Sequence, residues 1–228
     1  MIALLVLASL PGSALFTLSR IEVEGAQRLS PDAVRAASGL VAGSRSIFTV
    51  DAREVAERLT RHPWIAEARV RARPPHGILI QIRERTPAAA VPSASGYAVV
   101  DAAGVVLEVR SSRPDLLLVS ERGSTPAWMA PGEEIPSAAV RAGLRLLPHL
   151  PQALRAVAAH LQVTRTQEVF IYTADGLEIR AGPLRGLRQR LAAAPEILRT
   201  LRARGADLEY VDLSLPDQVI VKPRGAPR

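Results

Sequence analysis

Residues Arg61 to Arg85 read RHPWIAEARVRARPPHGILIQIRER, and the alternation within this stretch decides how the first part of the chain folds. Ala68, Val70 and Ala72 alternate with Arg69, Arg71 and Arg73; beyond Pro74-Pro75-His76-Gly77, Ile78, Ile80 and Ile82 alternate with Leu79, Gln81 and Arg83. A period of two on both sides of a turn predicts a hairpin with one apolar face. A two-stranded ribbon alone is marginal in water, so another element must cover that face. Trp64, at the head of the first strand, points to the segment before it.

That segment supplies the cover. Ile21 and Val23 alternate with Glu22 and Glu24 ahead of Gly25, a short strand. Ser30-Pro31-Asp32 then reads as a helix start, with Ser30 capping free amides, Pro31 in the first turn and Gly39 as the stop. Asp51 followed by Glu54 has the spacing of a capping box, Val55 and Leu59 share one face, and Pro63 ends the helix just before Trp64. The order strand, helix, helix, strand, strand is an α+β unit in which two helices cover one face of a three-stranded sheet.

The second half has its own hairpins. Val99-Val100 and Val105-Val106 flank Asp101 to Gly104, and Val169 to Thr173 and Leu177 to Arg180 flank Ala174-Asp175-Gly176. Ser137 to Leu147 places Val140, Leu144 and Leu147 on one helical face. Leu187, Leu191, Leu198 and Leu201 mark a longer helix that Pro195 should kink or split, with Gly205 after it. Leu208 to Leu213 and Val219 to Lys222 form a last strand pair around Pro216-Asp217, and Thr86 to Pro92 is the expected boundary between the two halves.

Composition excludes several classes of function. The chain of 228 residues is 48% hydrophobic and 22% charged, so it folds, and its formal net charge is +7. Lys222 is the one lysine, and the arginines that make up the remaining positive charge are dispersed singly along helices and strands. With three Phe, two Trp and three Tyr there is no aromatic platform, and no nucleic-acid partner is expected. Zero cysteines removes disulfides, thiolate metal sites and a cysteine nucleophile. His62, His76, His149 and His160 lack metal-ligand spacing, Lys222 lacks the glycines of a phosphate loop, and no G-x-S-x-G or Ser-x-x-Lys occurs. No catalytic residue, cofactor or metal is assigned, and Trp64 and Trp128 read as core residues.

From Ile2 to Leu18 the sequence IALLVLASLPGSALFTL carries no charge and would span about 26 Å as a helix. It reads either as a retained membrane anchor or as a secretory signal cut after Ala14, where Gly12 and Ala14 are small. A buried helix fits poorly, because Pro11-Gly12 would break it and no polar face is present. No Lys or Arg precedes the run, which is expected if the true start lies upstream or the chain is a fragment.

The run from Ile21 to Ala89 resembles the POTRA domain of the FtsQ/DivIB bacterial cell-division family. The resemblance rests on Val23-x-Gly25, the stretch SIFTVD leading into the second helix, the junction HPWIAEARVRARPP and the ending RERTP. GYAVVDAAGVVLE and the stretch from Gly176 to Pro223 resemble that family's later hairpin and its C-terminal strand, helix and final strand pair. The resemblance implies an α+β protein: an N-terminal membrane helix over residues 1–18, a β-α-α-β-β POTRA domain over 19–86, a β-rich domain with flanking helices over 92–223, and a tail over 224–228. It further implies a non-enzymatic, single-pass protein of the cytoplasmic membrane at the division septum, with its body extracytoplasmic and membrane lipid around its N-terminal helix. Its partners would be small bitopic division proteins of the FtsB and FtsL types and other divisome components, held so as to control septal peptidoglycan synthesis. A POTRA-type chaperone or translocation module of outer-membrane assembly is the alternative.

Tyr210 to Leu213 carries the family's YVDL, and Val219 to Lys222 is the last strand before a Pro-rich tail, expected at a sheet edge. Val219, Ile220 and Val221 are consecutive, β-branched and uncharged, which an unoccupied edge normally avoids. The expected partner interface is therefore Tyr210, Leu215, Asp217, Val219, Ile220, Val221 and Lys222, with Lys222 and Asp217 steering an oppositely charged segment at its rim. The corner SLPDQVIV stands where enterobacterial members of the family often carry an aromatic residue.

Overall fold

The computed structural model describes residues 16–203, 207–215 and 218–225. The chain divides between Thr86 and Pro87 into two compact units. The first contains β1 (Arg20–Glu24), α1 (Pro31–Ser38), a 3-10 turn (Ile47–Thr49), α2 (Ala52–Thr60), β2 (Ile65–Arg73) and β3 (Gly77–Glu84). Its sheet order is β1-β3-β2. β2 runs antiparallel to β3 with Val70 opposite Ile80, and β1 runs parallel to β3 with Ile21 opposite Ile78.

Local chemistry sets the helix ends. The Ala33 amide donates to Ser30 Oγ at 3.1 Å, and Gly39 closes α1 in the left-handed region at φ 68°. Asp51 Oδ1 accepts from the amides of Arg53 and Glu54 at 2.9 and 3.1 Å. Only half of the expected capping box forms, because the Glu54 carboxylate reaches forward to Arg58 at 2.5 Å instead of back to Asp51. Val34, Val55 and Leu59 from the helices meet Ile65, Val70, Ile78, Ile80 and Ile82 from the sheet in one buried cluster. At roughly 1.5–3 kcal/mol per buried aliphatic side chain, this cluster outweighs the exposed ion pairs of the unit.

Two expectations change here. Leu18, placed by sequence at the end of the apolar N-terminal run, is fully buried in this core, and Phe16 packs against it. The rest of the expected membrane helix falls on residues 1–15, outside the described residues, and among those described no helix is long and apolar enough to cross a membrane. Leu79 points away from the helices yet is only 5% exposed, flanked in register by Glu22 of β1 and Arg71 of β2, whose aliphatic stems are suited to cover it.

The second unit is one nine-stranded mixed sheet. In chain order come β4 (Pro87–Ser93), β5 (Gly96–Asp101), β6 (Val106–Arg110), β7 (Leu118–Glu121), α3 (Ala138–Leu146), α4 (Gln152–Val157), β8 (Ala158–Val163), β9 (Glu168–Thr173), β10 (Glu178–Pro183), α5 (Leu187–Ala203), β11 (Leu208–Asp212) and β12 (Ile220–Pro223). In space the order is β12-β11-β10-β9-β8-β7-β4-β5-β6. α3 and α5 contribute Val140, Leu144, Leu187, Leu191 and Leu198 to the core, where they join Val119, Leu161, Ile171, Ile179 and Val211 of the sheet. α3 lies so close that a β-carbon on Gly143 would stand 2.8 Å from Val119 Cγ1 and 3.0 Å from Leu161 Cδ2. α5 continues through Pro195 as one element, so of the kink or split expected there, the split does not occur.

The division between the units falls at the start of the stretch expected as a boundary, Thr86 to Pro92, and the rest of that stretch belongs to β4, which pairs antiparallel with β5 and, at Ala90, parallel with β7. Trp128, expected in the core, is 69% exposed while its neighbour Met129 is buried.

Candidate functional site

The sheet of the second unit ends at β12 on one side and β6 on the other, and the two edges differ. Along β6, Val106 exchanges main-chain hydrogen bonds with the loop that follows β7: its amide donates to the Glu133 carbonyl and its carbonyl accepts from the Gly132 amide, both at 2.8 Å. β6 also carries the Glu108–Arg110 ion pair. Loop cover and charge are the usual ways of blunting an edge. β12 shows neither at its centre: Val219, Ile220 and Val221 are 46%, 44% and 38% exposed, and among the described residues no strand lies beyond it.

Among the described residues, β12 is paired on its inner side only. It runs antiparallel to β11 with Tyr210 opposite Lys222, Val211 opposite Val221 and Asp212 opposite Ile220. The side-chain period of two therefore puts Ile220 and Lys222 on the face of Tyr210 and Asp212, and Val219 and Val221 on the other. Two contacts fix the far end of the pair, where the Arg224 amide donates to the Asp207 carbonyl at 2.8 Å and the Arg224 guanidinium meets the Asp207 carboxylate at 3.2 Å. At the near end the Ser214 amide donates to Asp212 Oδ1 at 2.8 Å and ends β11. Gly182 of β10 makes room for that corner: its φ is 74°, and a β-carbon there would lie 2.8 Å from Ser214 Cβ.

Of the residues expected at the interface, Tyr210, Val219, Ile220, Val221 and Lys222 come together on this strand pair, and Leu215 stands 46% exposed at the corner that follows β11. Asp217 lies outside the described residues. Lys222 differs from expectation in its charge balance, because its Nζ is 2.7 Å from Glu209 Oε2 and its side chain is only 25% exposed. A cation neutralised within its own sheet steers a distant partner weakly.

Sequence reasoning missed the surface that supports Tyr210. On the sheet face away from α3 and α5, the Arg180 guanidinium stacks 3.8 Å from the Tyr210 ring centre, and Arg122 stacks 3.9 Å from that of Phe170. Glu178 binds both cations, Arg180 at 3.2 Å and Arg122 at 3.4 Å. Alternating arginine and aromatic layers lock the Tyr210 ring in place next to the edge strand. Burial, then the nearby Glu178 carboxylate, pushes the Tyr172 hydroxyl above its ordinary value. Nothing local in the sequence joins these residues, since β10 and β11 are parallel and separated by α5.

His160 meets Ser120 Oγ through Nε2 at 2.8 Å. Burial, then the charge of Arg113, holds the imidazole below its ordinary value, and among the described residues no carboxylate hydrogen-bonds it. A His of lowered basicity without an orienting acid is a poor activator of serine. No cluster of three metal-ligating side chains occurs among the described residues.

A sequence profile for the FtsQ-type POTRA domain matches residues 16–85, and one for the C-terminal domain of cell division protein FtsQ/DivIB matches residues 89–214. Three relatives, each named cell division protein FtsQ, align over most of the chain. That of Syntrophotalea carbinolica is 29% identical over 91% of this chain and 74% of its own, and that of Rhodothermus marinus 30% identical over 92% and 79%. That of Bradyrhizobium diazoefficiens is 28% identical over 94% of this chain, which spans 59% of its length. The three-stranded sheet under two helices, the second unit and these matches agree: the chain belongs to the FtsQ/DivIB family of bacterial cell division proteins.

Proposed function

We propose that this protein is a non-enzymatic scaffold of the division machinery. In this reading the apolar N-terminal run anchors it once in the cytoplasmic membrane, its two domains are extracytoplasmic, and it gathers small bitopic partners of the FtsB and FtsL types at the septum to control peptidoglycan synthesis there. The observation that carries the reading is the terminal strand β12, where Val219, Ile220 and Val221 are consecutive, β-branched and exposed and where, among the described residues, no loop covers the edge as one does at β6. Such an edge suits an incoming strand, which takes up its free main-chain groups while alternate side chains meet Val219 and Val221 on one face and Ile220 on the other. Tyr210, held under Arg180, gives that second face a rigid aromatic neighbour.

The test is to co-express the full chain with FtsB-type and FtsL-type proteins, purify the complex in detergent and compare amide exchange with the protein alone. Slowed exchange at Val219 to Lys222 is expected. A complex with unchanged exchange there would move the site elsewhere on the scaffold, and absence of any complex would overturn the scaffold reading.

A further inference from the structure

The end of the POTRA unit at which the chain arrives from its apolar run is built from three segments. The Leu18 amide donates to the Arg45 carbonyl at 2.9 Å, and the Gly43 amide donates to the Leu18 carbonyl at 2.6 Å. The amides of Ser19 and Arg20 both donate to the His76 carbonyl. Thr17 bridges to Ser46, and the Phe16 and Phe48 rings meet edge to face at 5.1 Å. The loop between α1 and α2 and the β2–β3 turn are thus tied to the last residues of the uncharged run and to Ser19 and Arg20 just after it.

This end presents large apolar side chains outward. Val41 is 63% and Phe48 51% exposed, the only large hydrophobic residues exposed to that degree among those described in this unit. Its charge is one-sided as well. Residues 16–20, 41–50 and 73–77 contain Arg20, Arg45, Arg73 and His76 and no Asp or Glu. Arg20 and Arg73 share a single carboxylate, Glu22, each at 3.2 Å. At the opposite end, where the Gln27 amide donates to Glu84, no large apolar side chain is exposed among the described residues.

We infer that this end of the POTRA domain is a membrane-docking surface: Val41 and Phe48 enter the interface of the bilayer while Arg45, with Arg20 and Arg73 beside it, meets anionic headgroups. The occupant is the bilayer, and not a protein, because Phe16, which rests on Phe48 itself, belongs to the uncharged run of the sequence from Ile2 to Leu18. Exposed apolar side chains rimmed by arginine are the composition of interfacial membrane contacts. Thr17 to Arg20 are themselves bonded to the domain, so an anchor running up to these residues would hold the domain in one orientation. The inference rests on the anchor reading above and adds a second, peripheral contact to it.

The sequence has no cysteine, so one introduced thiol is unique. The full chain carrying Val41→Cys or, as a control at the opposite end, Arg61→Cys is labelled with an environment-sensitive dye. It is then reconstituted into phosphatidylethanolamine vesicles with or without phosphatidylglycerol, and quenching by lipids brominated near the headgroup is measured. The label at 41 should be quenched several-fold more than that at 61, as expected for a depth of about 5–10 Å below the headgroups. Quenching should rise with phosphatidylglycerol, and Arg45→Glu should remove that rise. Equal quenching at both positions would overturn the inference, as would a label at 41 shielded from water but not reached by brominated lipid, which would mean a protein occupant. Failure of the chain to resist alkaline extraction from vesicles would instead overturn the anchor reading.

Discussion

Gly25 stands against Ile82 so closely that a β-carbon on it would lie 2.0 Å from the Ile82 carbonyl oxygen. Its φ of 85° belongs to the left-handed region, so a side chain there meets both a strained backbone and a collision with main chain that cannot turn aside. Gly25→Ala should therefore destabilise the POTRA domain by more than about 2 kcal/mol. Gly43 is the control, with a similar φ of 80° and nothing within 4 Å of the added carbon. Gly43→Ala should cost about 1 kcal/mol from backbone strain alone. Denaturant unfolding of the two variants, followed by Trp64 fluorescence with Trp128→Phe as background, measures both; equal losses would mean that the contact with Ile82 is relieved by movement.

Glu84 secures the same junction. Its carboxylate accepts from the amides of Gln27, Arg28 and Leu29 at 3.1, 2.9 and 2.9 Å. Burial pushes its pKa up, but the amides of Leu29, Arg28 and Gln27 together outweigh burial and hold it below the usual carboxylate range. A depressed folded value contributes stability above the unfolded value of about 4.3, and that contribution is lost as the pH falls through the folded value. Glu84→Gln should cost about 1–2 kcal/mol at neutral pH, at the lower end for bonds to an ionised acceptor because the amides are partly exposed to water. Its difference from the parent protein should shrink below about pH 4. A difference independent of pH would assign the loss to shape instead of charge.

These two residues also show what the sequence makes legible. Gly25 and Glu84 are visible as parts of motifs, and the alternation of Ala68 to Ile82 is enough to define the hairpin and its buried face, because both signals are local. β7 and β8 are not legible in this way. LVSE has four residues, and AAHLQV follows α4 directly and opens with helix-favouring alanines; only parallel pairing of the two strands makes them part of the sheet. The interface shows the same division. Exposed β-branched residues at 219–221 are legible as a strand with an unusual surface, whereas the Arg180–Tyr210 stack depends on a parallel pairing across α5 that no short-range pattern reports.

Trp64 is 9% exposed and lies beside the main cluster, not within it, with the Arg28 guanidinium 4.1 Å from its ring centre. Trp64→Ala should cost about 3 kcal/mol, the lower end for a buried aromatic, because the cavity opens beneath a flexible arginine. Arg28→Ala should cost about 0.5–1 kcal/mol, the scale of an exposed cation–π contact, and Arg69→Ala next to nothing. Thermal melting of the full chain resolves the ranking. An unchanged melt for the Trp variant would make this ring a surface contact.

The partner edge gives the last prediction. Successive amides of a strand point to opposite sides, so of Ile220 and Val221 one amide faces β11 and the other faces outward. Proline removes the donor at either position. Ile220→Pro and Val221→Pro should therefore differ: one loosens the β11–β12 pair, and the other leaves the pair intact while denying an incoming strand its hydrogen bond. For the second variant we expect unchanged exchange at Tyr210 to Asp212 and at least about a tenfold loss of affinity for the bitopic partner, since one lost bond of about 1.4 kcal/mol already gives that factor. Ile220→Val keeps the β-branched surface and should be nearly silent. The double variant Lys222→Ala/Glu209→Ala separates steering from pairing: it removes a neutral ion pair without changing the net charge, so it should leave the association rate almost unchanged at low salt. Wild-type yield of the partner with both proline variants, in protein whose β11 amides remain protected, would remove β12 as the binding edge.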